Sequence, residues 1–356
     1  MVLPIIVFTS CLMPSMPAIS ALRLLMSQDA IDRFGPAVSA RLDSVPHQLV
    51  ARESLAESGD AQIDVAFLTK DVSGRSTKTD LSAPLAHFFA LLRQSTRLKW
   101  VHTHSAGADR PIYAEVIGRG VTVTTSSGLT ADTVAQSAVG GVLALARRFP
   151  LLQEAQRRRS WEPLIDGRAP RDLKGQVAVV VGLGPIGREI ARLLTAIGLH
   201  VIGVRTSATA DAGCAETVTY ADLPAIAPRA DWLLLACPLT DLTRQLVDAA
   251  LLSRLPRGAY LINVARGEVV VEQELVATLQ QGQLAGAFLD VFELEPLAAD
   301  SPLWSLPNVM VTPHTASHSV GYYTRVGELF LDNLSRWVDG KALVNDATRY
   351  RQSAPG

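Results

Sequence analysis

Three chemically active side chains stand in the second half of the chain, each inside a short motif. Arg266 lies in NVARG, Glu295 in DVFELEPL and His314 in TPHTA. Each motif follows or ends an apolar run that is typical of a β-strand, and open α/β sheets bind ligands at the carboxyl ends of their strands. We therefore expect a cation, a carboxylate and a proton-exchanging ring to meet in one crevice, a combination that suits acid–base chemistry.

Each of these residues also has a structural interpretation when it is taken alone. Arg266 would suit a surface salt bridge, Glu295 an exposed loop, and a single histidine is more often structural than catalytic. Glu293, two residues before Glu295, is a second candidate for the carboxylate. Their shared position after strands favours the catalytic interpretation.

A glycine-rich turn, VGLGPIG, occupies residues 181–187 between an apolar run at 177–181 and a helical stretch at 185–197. In this context Gly182 permits a tight turn, Gly184 lets the backbone approach a pyrophosphate, and Gly187 permits close packing of the helix on the strand. The N–H groups at the start of the helix would bind the pyrophosphate. The segment, which includes Pro185 and Ile186, predicts a dinucleotide-binding site.

The residues that end the next strand indicate which dinucleotide is used. NAD-preferring sites carry an acid there for the ribose 2′-hydroxyl, whereas this chain has Arg205, Thr206 and Ser207. Arginine pairs with a 2′-phosphate, and the two hydroxyls add hydrogen bonds. We therefore predict a preference for NADP(H). The alternative is an exposed arginine with relaxed specificity, which would leave NAD usable.

These motifs need parallel strands to position them. Strands are predicted at residues 21–26, 63–68, 98–102, 121–124, 177–181, 199–204, 232–236, 259–263, 286–290 and 309–311. Helical stretches alternate with the strands, which predicts an α/β fold of doubly wound parallel sheets with helices on both faces.

A helix rich in small residues is predicted at 130–148, ending at Phe149 and Pro150. Its alanines and glycines permit close approach of another helix, which fits a buried core helix and a dimer interface equally well. The polar segment 156–173, which contains Trp161, is predicted to be a surface excursion, and a last helix is predicted at 326–338.

Composition restricts the class of protein. The chain has 356 residues with 33 basic and 34 acidic side chains, which favours two domains and gives no support for a nucleic-acid or membrane partner. Its 3 cysteines are far apart, so we predict a reduced cytoplasmic protein without a metal site. Residues 1–20 are interpreted as a leader of uncertain status: a signal, a disordered extension or a misassigned start.

Six motifs in order carry a family resemblance: SAGAD, VGLGPIG, CPLTDLT, NVARG, DVFELEPL and TPHTA. They resemble the D-isomer-specific 2-hydroxyacid dehydrogenase family, in particular its glyoxylate/hydroxypyruvate reductase-like members. The resemblance extends from about residue 21 to about residue 345. It implies a flavodoxin-like substrate domain formed by residues 21–127 and 318–356, a Rossmann cofactor domain formed by residues 128–317, and a cleft between the two.

The resemblance implies a role for each of the three side chains. The family's arginine matches Arg266, which holds the substrate carboxylate and polarises the keto oxygen. The acid–base histidine matches His314, which gives a proton to the carbonyl oxygen in reduction and removes the hydroxyl proton in oxidation. The glutamate matches Glu295, and a carboxylate beside an imidazole favours the protonated ring.

The resemblance also implies contacts around both ligands. Backbone N–H groups of Ala106, Gly107 and Ala108 receive the substrate carboxylate, and Asp290 contacts the nicotinamide carboxamide. Further cofactor contacts are Cys237, Pro238, Thr240, Val264 and Ala265.

Together these features predict an NAD(P)H-dependent reductase that converts a 2-keto acid to the D-2-hydroxy acid, as a homodimer through the 130–148 region. We call Ala106, Gly107 and Ala108 the substrate loop. His102 and His104, beside this loop, are interpreted as residues of local packing or pocket shape rather than as acid–base groups. The sequence does not rank glyoxylate, hydroxypyruvate, phenylpyruvate and branched keto acids. Two alternatives stay open. Formate dehydrogenases share the fold but carry glutamine at the position of Glu295, and a dinucleotide-sensing corepressor on this scaffold would bind partners without turnover.

Overall fold

The structure is a computed structural model that describes residues 21–56, 59–77 and 80–348. The predicted leader at 1–20 and the end of the predicted substrate domain, residues 349–356, lie outside the described residues. Two parallel β-sheets, one of five and one of seven strands, organise the chain and confirm the predicted α/β class. No helix within the described ranges is long and apolar enough to cross a membrane.

The first sheet has the strand order β2-β1-β3-β4-β5. Its strands are β1 (Leu22–Met26), β2 (His47–Ala51), β3 (Val65–Leu68), β4 (Trp100–Thr103) and β5 (Thr122–Thr125). Its helices are α1 (Gln28–Arg41), α2 (Lys70–Ser73), α3 (Ala83–Gln94) and α4 (Pro111–Gly118). This order is the flavodoxin-like arrangement that the resemblance implied.

The second sheet has the order β12-β11-β10-β9-β6-β7-β8. Its strands are β6 (Val177–Val181), β7 (His200–Arg205), β8 (Glu216–Thr219), β9 (Trp232–Leu235), β10 (Ala259–Asn263), β11 (Leu284–Leu289) and β12 (Val309–Val311). Its helices are α5 (Ala131–Ala146), α6 (Phe149–Arg157), α7 (Pro185–Ala196), α8 (Leu223–Ile226), α9 (Ala249–Arg254) and α10 (Glu272–Gln280), and a further helix, α11 (Tyr322–Val338), follows. The order reverses between β6 and β9, where Rossmann folds bind a dinucleotide.

Both faces of each sheet are covered. In the first sheet Ala66 and Val101 pack on one face, while Phe67 and Trp100 pack on the other. Burial on both faces explains why such strands are continuous apolar runs in the sequence.

Helix α11 comes last in the chain but packs on the first sheet. The ring of Phe330 stacks on Phe67, with centroids 4.1 Å apart, and on Trp100, with centroids 5.3 Å apart. The described part of the chain therefore forms the first sheet, then the second, and returns to the first sheet with α11. The domain limits at 127 and 317 stay predictions.

The predicted helix at 130–148 differs from the structure at its end. Helix α5 stops at Ala146, Arg148 takes a left-handed φ of 55°, and α6 begins at Phe149. Pro150 lies in the first turn of α6, where its missing N–H costs nothing, so it starts a helix rather than ending one. The segment 156–173, which was predicted to be a surface excursion, therefore begins with two residues of α6, Gln156 and Arg157.

Helix α5 is a core helix, as one of the two interpretations proposed. It packs against α7 and the second sheet and buries Val134, Ala138 and Val142. A Cβ at Gly141 would lie 2.6 Å from Cγ of Phe288, so glycine permits this close approach to β11.

Candidate active site

A cavity of about 580 Å³ opens at the carboxyl ends of the strands of both sheets. Arg266, Glu295 and His314 line it from the second sheet, and Gly107 and Ala106 line it from the first. The structure thus brings together the three side chains and the substrate loop that the sequence placed in one crevice.

His314 is paired with a carboxylate. Its Nδ1 lies 2.7 Å from Oε2 of Glu295, whose Oε1 accepts a hydrogen bond from the Phe292 N–H at 3.1 Å. The competing acid, Glu293, instead accepts the backbone N–H of Glu272. The contact at Nδ1 orients the imidazole ring, and it leaves Nε2 as the ring nitrogen available for proton exchange.

Asp290 holds the turn that carries His314. Its buried carboxylate accepts hydrogen bonds from Thr312 Oγ1 at 2.6 Å, Thr315 N at 2.8 Å and Ala316 N at 3.1 Å. The His314 N–H donates to the Asp290 carbonyl at 2.8 Å, and this histidine has a φ of 49°. Asp290 also lines the cavity, and its contact with a nicotinamide stays a prediction.

Arg266 is held by groups from both sheets. Its Nε donates to Oδ2 of Asp109 at 3.1 Å, and its Nη1 donates to the Ala265 carbonyl at 2.7 Å. Asp109 belongs to the loop after β4, so this ion pair spans the cleft. A Cβ at Gly107 would lie 2.5 Å from Nη2 of Arg266, so only glycine lets the guanidinium reach this loop unhindered.

The substrate loop presents unused donors. Ser105 Oγ donates to the Gly107 carbonyl at 2.8 Å and fixes the loop. The N–H groups of Ala106, Gly107 and Ala108 donate to none of the residues that the structure describes. Adjacent N–H groups next to a guanidinium form a site for a carboxylate.

The glycine turn has the shape that a pyrophosphate requires. A Cβ at Gly182 would lie 2.5 Å from Cα of Cys237, and one at Gly187 would lie 1.8 Å from the Gly182 carbonyl oxygen. Gly184, which caps α7, meets no described atom within 4 Å, so the space before the helix is open. Pro185 starts the helix, Ile186 lines the cavity, and the residues present fit a dinucleotide.

The family assignment rests on the comparison with known proteins. The family model for the D-isomer specific 2-hydroxyacid dehydrogenase, NAD binding domain, matches residues 139–316. The chain belongs to this family. It is accordingly an NAD(P)-dependent oxidoreductase, as the resemblance implied.

Relatives with similar sequences have names in the same class. A glyoxylate reductase of Thermofilum pendens is 35% identical over 259 residues, which cover 70% of this chain and 75% of the relative. A glyoxylate/hydroxypyruvate reductase B of Erwinia tasmaniensis is 31% identical, covering 86% of this chain and 94% of the relative.

Solved structures agree over nearly the whole chain. A family member from Xanthobacter autotrophicus Py2, in complex with NADPH and MES, has a TM-score of 0.73 at 29% identity and covers 93% of this chain and 99% of that one. An NADPH-dependent glyoxylate/hydroxypyruvate reductase from Sinorhizobium meliloti, in complex with NADP and malonate, has a TM-score of 0.70 at 30% identity and covers 92% and 98%.

Near the end of β7 the structure places two residues that the sequence analysis did not name, Arg188 and Asp211. Arg205 is half-buried, and Thr206 and Ser207 are exposed. Asp211, from the following loop, accepts a hydrogen bond from Nε of Arg188 at 2.7 Å. This bond lowers the pKa of Asp211, and the charge of Arg205 adds to the effect. An acid thus does lie near Arg205, although none ends the strand.

The CPLT segment packs beneath the glycine turn. Cys237 is 3% exposed, and burial raises the pKa of its thiol to about 12, so it is a packing residue rather than a nucleophile. The Thr240 N–H donates to Thr243 Oγ1, which in turn donates to the Pro238 carbonyl and fixes this turn. Val264 lines the cavity, and Ala265 is buried beside it.

The two histidines near the substrate loop differ in position, since His102 is buried in the core and His104 lines the cavity. His102 is 0% exposed, and burial lowers its pKa to about 3. His104 bonds Ser73 Oγ through Nε2 and Tyr322 Oη through Nδ1, each at 2.8 Å, and burial lowers its pKa to about 3 as well. In the described part of the chain, no group of three or more His, Cys, Asp or Glu could hold a metal ion.

Proposed function

We propose that the enzyme reduces a short 2-keto acid to the D-2-hydroxy acid, with His314 as the proton donor. The observation that carries the proposal is one cavity in which a histidine–carboxylate pair 2.7 Å apart lies with Arg266 and the open N–H groups of the substrate loop. Relatives named glyoxylate reductase and glyoxylate/hydroxypyruvate reductase support a short keto acid.

The roles of the chain's own residues follow from their contacts. Nη2 of Arg266 and the N–H groups of residues 106–108 bind the substrate carboxylate and orient the keto carbon. His314 gives the proton on Nε2 to the keto oxygen while Glu295 stabilises the ring. The dinucleotide, when bound, supplies the hydride for the keto carbon. Closure of the cleft excludes water from the site.

One feature each distinguishes a formate dehydrogenase and a corepressor from a keto acid reductase. Formate dehydrogenases carry glutamine where this chain has Glu295, and formate oxidation has no proton to transfer, so the His314–Glu295 pair favours a keto acid reductase. A corepressor would keep much of the same site, so turnover decides between it and an enzyme.

We further propose a preference for NADPH, which Arg205 and the hydroxyls of Thr206 and Ser207 support through a 2′-phosphate contact. The structures of relatives with NADPH or NADP support it too. Asp211 is neutralised by Arg188 in this arrangement, which reduces its repulsion of a phosphate.

A homodimer through the 130–148 region is also proposed. Leu143, Phe149 and Trp161 are 38%, 55% and 94% exposed, which is unusual for large apolar side chains along one segment. Light scattering should give twice the mass of one chain, and a monomer would refute the proposal. Cys214 and Cys237 are free thiols, which supports the proposed cytoplasmic location.

The test is the initial rate of cofactor oxidation with a panel of 2-keto acids, using NADPH and NADH in parallel. Replacement of His314 by alanine should lower kcat/KM by roughly 10²–10⁴-fold, because the general acid is lost. The matched control is His200→Ala, since His200 also pairs with a carboxylate, Glu216, but lies away from the cavity on β7.

The outcomes separate the candidates. Keto acid reduction that falls in His314→Ala and persists in His200→Ala supports the proposal, and chiral analysis of the product checks the D configuration. A His314→Ala enzyme as fast as the wild type would remove the histidine from the mechanism. Tight NADPH binding with no turnover of any acid would favour the corepressor.

A further inference from the structure

Two cations stand on the substrate-domain side of the cavity, at the ends of neighbouring strands. Strand β3 pairs with β4 in parallel, with Leu68 opposite Thr103, so both chains leave the sheet at the same edge. Lys70 follows β3 and Arg110 follows β4. Both line the cavity that Arg266 and His314 line. We call Lys70 and Arg110 the cationic wall.

Among the described residues, Lys70 forms no ion pair. It is half-buried, and no carboxylate of the described residues lies within ion-pair distance of its Nζ. Burial, and then the positive charge of Arg110, lower the pKa of Lys70. A partly desolvated ammonium without an anion is costly unless a ligand supplies one.

Arg110 is fixed in place by two carbonyl groups, and it forms no ion pair with a carboxylate of the described residues. Its Nη1 donates to the Thr77 carbonyl at 2.6 Å and its Nη2 to the Ser76 carbonyl at 3.1 Å. Carbonyl groups orient the guanidinium without cancelling its charge. The cationic wall therefore keeps its positive charge, whereas Arg266 is partly balanced by Asp109.

Both cations of the wall act on a third residue that lines the cavity, His104. The positive charges of Lys70 and Arg110 both add to burial in lowering the pKa of His104 to about 3. Its ring is occupied by Ser73 and Tyr322, so it contributes neither a cation nor a counter-ion to the wall.

We propose that the cationic wall is a second anion subsite and that the preferred substrates are 2-keto acids with a second anionic group at their far end. The inference rests on the proposed function, in which Arg266 and the loop 106–108 take the carboxylate next to the keto group. The second anion is a carboxylate or a phosphate, since both match a lysine beside an arginine.

Matched substrate pairs test the subsite. Oxaloacetate is compared with 2-oxobutanoate, and 3-phosphohydroxypyruvate with hydroxypyruvate, so that each pair differs only in the distal anion. At least one dianion should have a kcat/KM roughly 10- to 100-fold above its partner, the gain expected from charge-assisted hydrogen bonds. The pair with the larger ratio distinguishes a carboxylate from a phosphate.

The variant Lys70→Gln removes one charge of the wall and keeps a polar side chain. It should reduce the dianion-to-monoanion ratio of kcat/KM by about 10-fold, mainly through KM, and Lys70→Arg should restore most of the ratio. Lys99→Gln is the matched control, because Lys99 is exposed at the opposite end of β4. It should leave the ratio as in the wild type.

The outcomes are distinguishable. Reduction of keto acids with equal kcat/KM within both pairs, or with a ratio that Lys70→Gln leaves intact, would overturn the subsite and leave the proposed function standing. If no acid is reduced, titration calorimetry on the NADPH-loaded protein decides. Tighter binding of oxaloacetate than of 2-oxobutanoate, lost in Lys70→Gln, supports the subsite, and equal binding refutes it.

Discussion

The guanidinium of Arg266 is oriented by groups that come from both sheets. Asp109 and the Ala265 carbonyl fix two of its nitrogens, and the absence of a side chain at Gly107 leaves the third next to the substrate loop. The position of the guanidinium therefore depends on Gly107, because a side chain there would occupy the same space.

Replacement of Gly107 by alanine should displace the guanidinium, since the new Cβ would lie 2.5 Å from Nη2 of Arg266. A misplacement of about 1 Å costs roughly 10²-fold, so kcat/KM for keto acid reduction should fall by about 10- to 100-fold. Steady-state kinetics measures this, with thermal unfolding showing whether the fold is intact.

The matched control for this change is Gly118→Ala. Gly118 ends α4 in the same domain, and no described atom lies within 4 Å of a Cβ there. This variant should keep the wild-type rate. Equal activity of both variants would show that the contact between Gly107 and Arg266 does not position the guanidinium.

Among the elements, the segments after β10 and β11 are joined by backbone contact. A Cβ at Gly267 would lie 1.8 Å from the carbonyl carbon of Phe292. The loop that presents Arg266 therefore packs directly on the loop that presents Glu295. This contact therefore links the position of Arg266 to that of Glu295.

Alanine at position 267 should destabilise this contact, because the obstacle is main chain and cannot rotate away. We expect the free energy of unfolding to fall by roughly 2–3 kcal/mol, the usual cost of overpacking, with a loss of activity as the two loops separate. Urea unfolding of Gly267→Ala measures the first quantity. Gly118→Ala at the end of α4, where no described atom lies within 4 Å of a Cβ, should leave the free energy of unfolding close to the wild-type value.

The sequence predicted those elements whose pattern has a direct physical cause. Strands β6, β10 and β12 have the predicted bounds, since they follow from apolar runs between turn residues. Strands β2 and β8 were not predicted, because most of their side chains are exposed or half-buried and produce no such run.

The residues of the candidate site also separate into those that the sequence predicted and those that it did not. The glycine turn and the three motif residues were predicted, since each lies in a short motif next to an apolar run. The Arg188–Asp211 pair and the cationic wall were not, because they join residues that only the fold brings together.

At the scale of the whole molecule, the first domain is closed by α11 over an aromatic cluster that contains a histidine. His102 lies 5.7 Å from the ring of Phe67 and 5.8 Å from that of Phe330, measured between centroids. Trp100 Nε1 donates to Thr124 Oγ1, whose hydroxyl is then free to donate to the unprotonated Nδ1 of His102. Complete burial in this cluster, which joins α11 to the first sheet, favours the neutral imidazole of His102.

This preference for the neutral form of His102 makes stability depend on pH. The pKa of His102 is about 3 in the folded state and about 6.5 when the chain is unfolded, so unfolding takes up a proton in between. This group's contribution to the free energy of unfolding should therefore be fully present above about pH 6.5 and fall by about 1.4 kcal/mol per pH unit below it.

The variant His102→Gln keeps polar groups near Thr124 and Ser126 but cannot titrate. Urea unfolding at pH 7.5 and pH 5 should show a smaller acid loss in His102→Gln than in the wild type, by about 2 kcal/mol. The exposed His200, changed to glutamine, should retain the wild-type slope, and parallel slopes for all three proteins would show that His102 is not the acid-sensitive group.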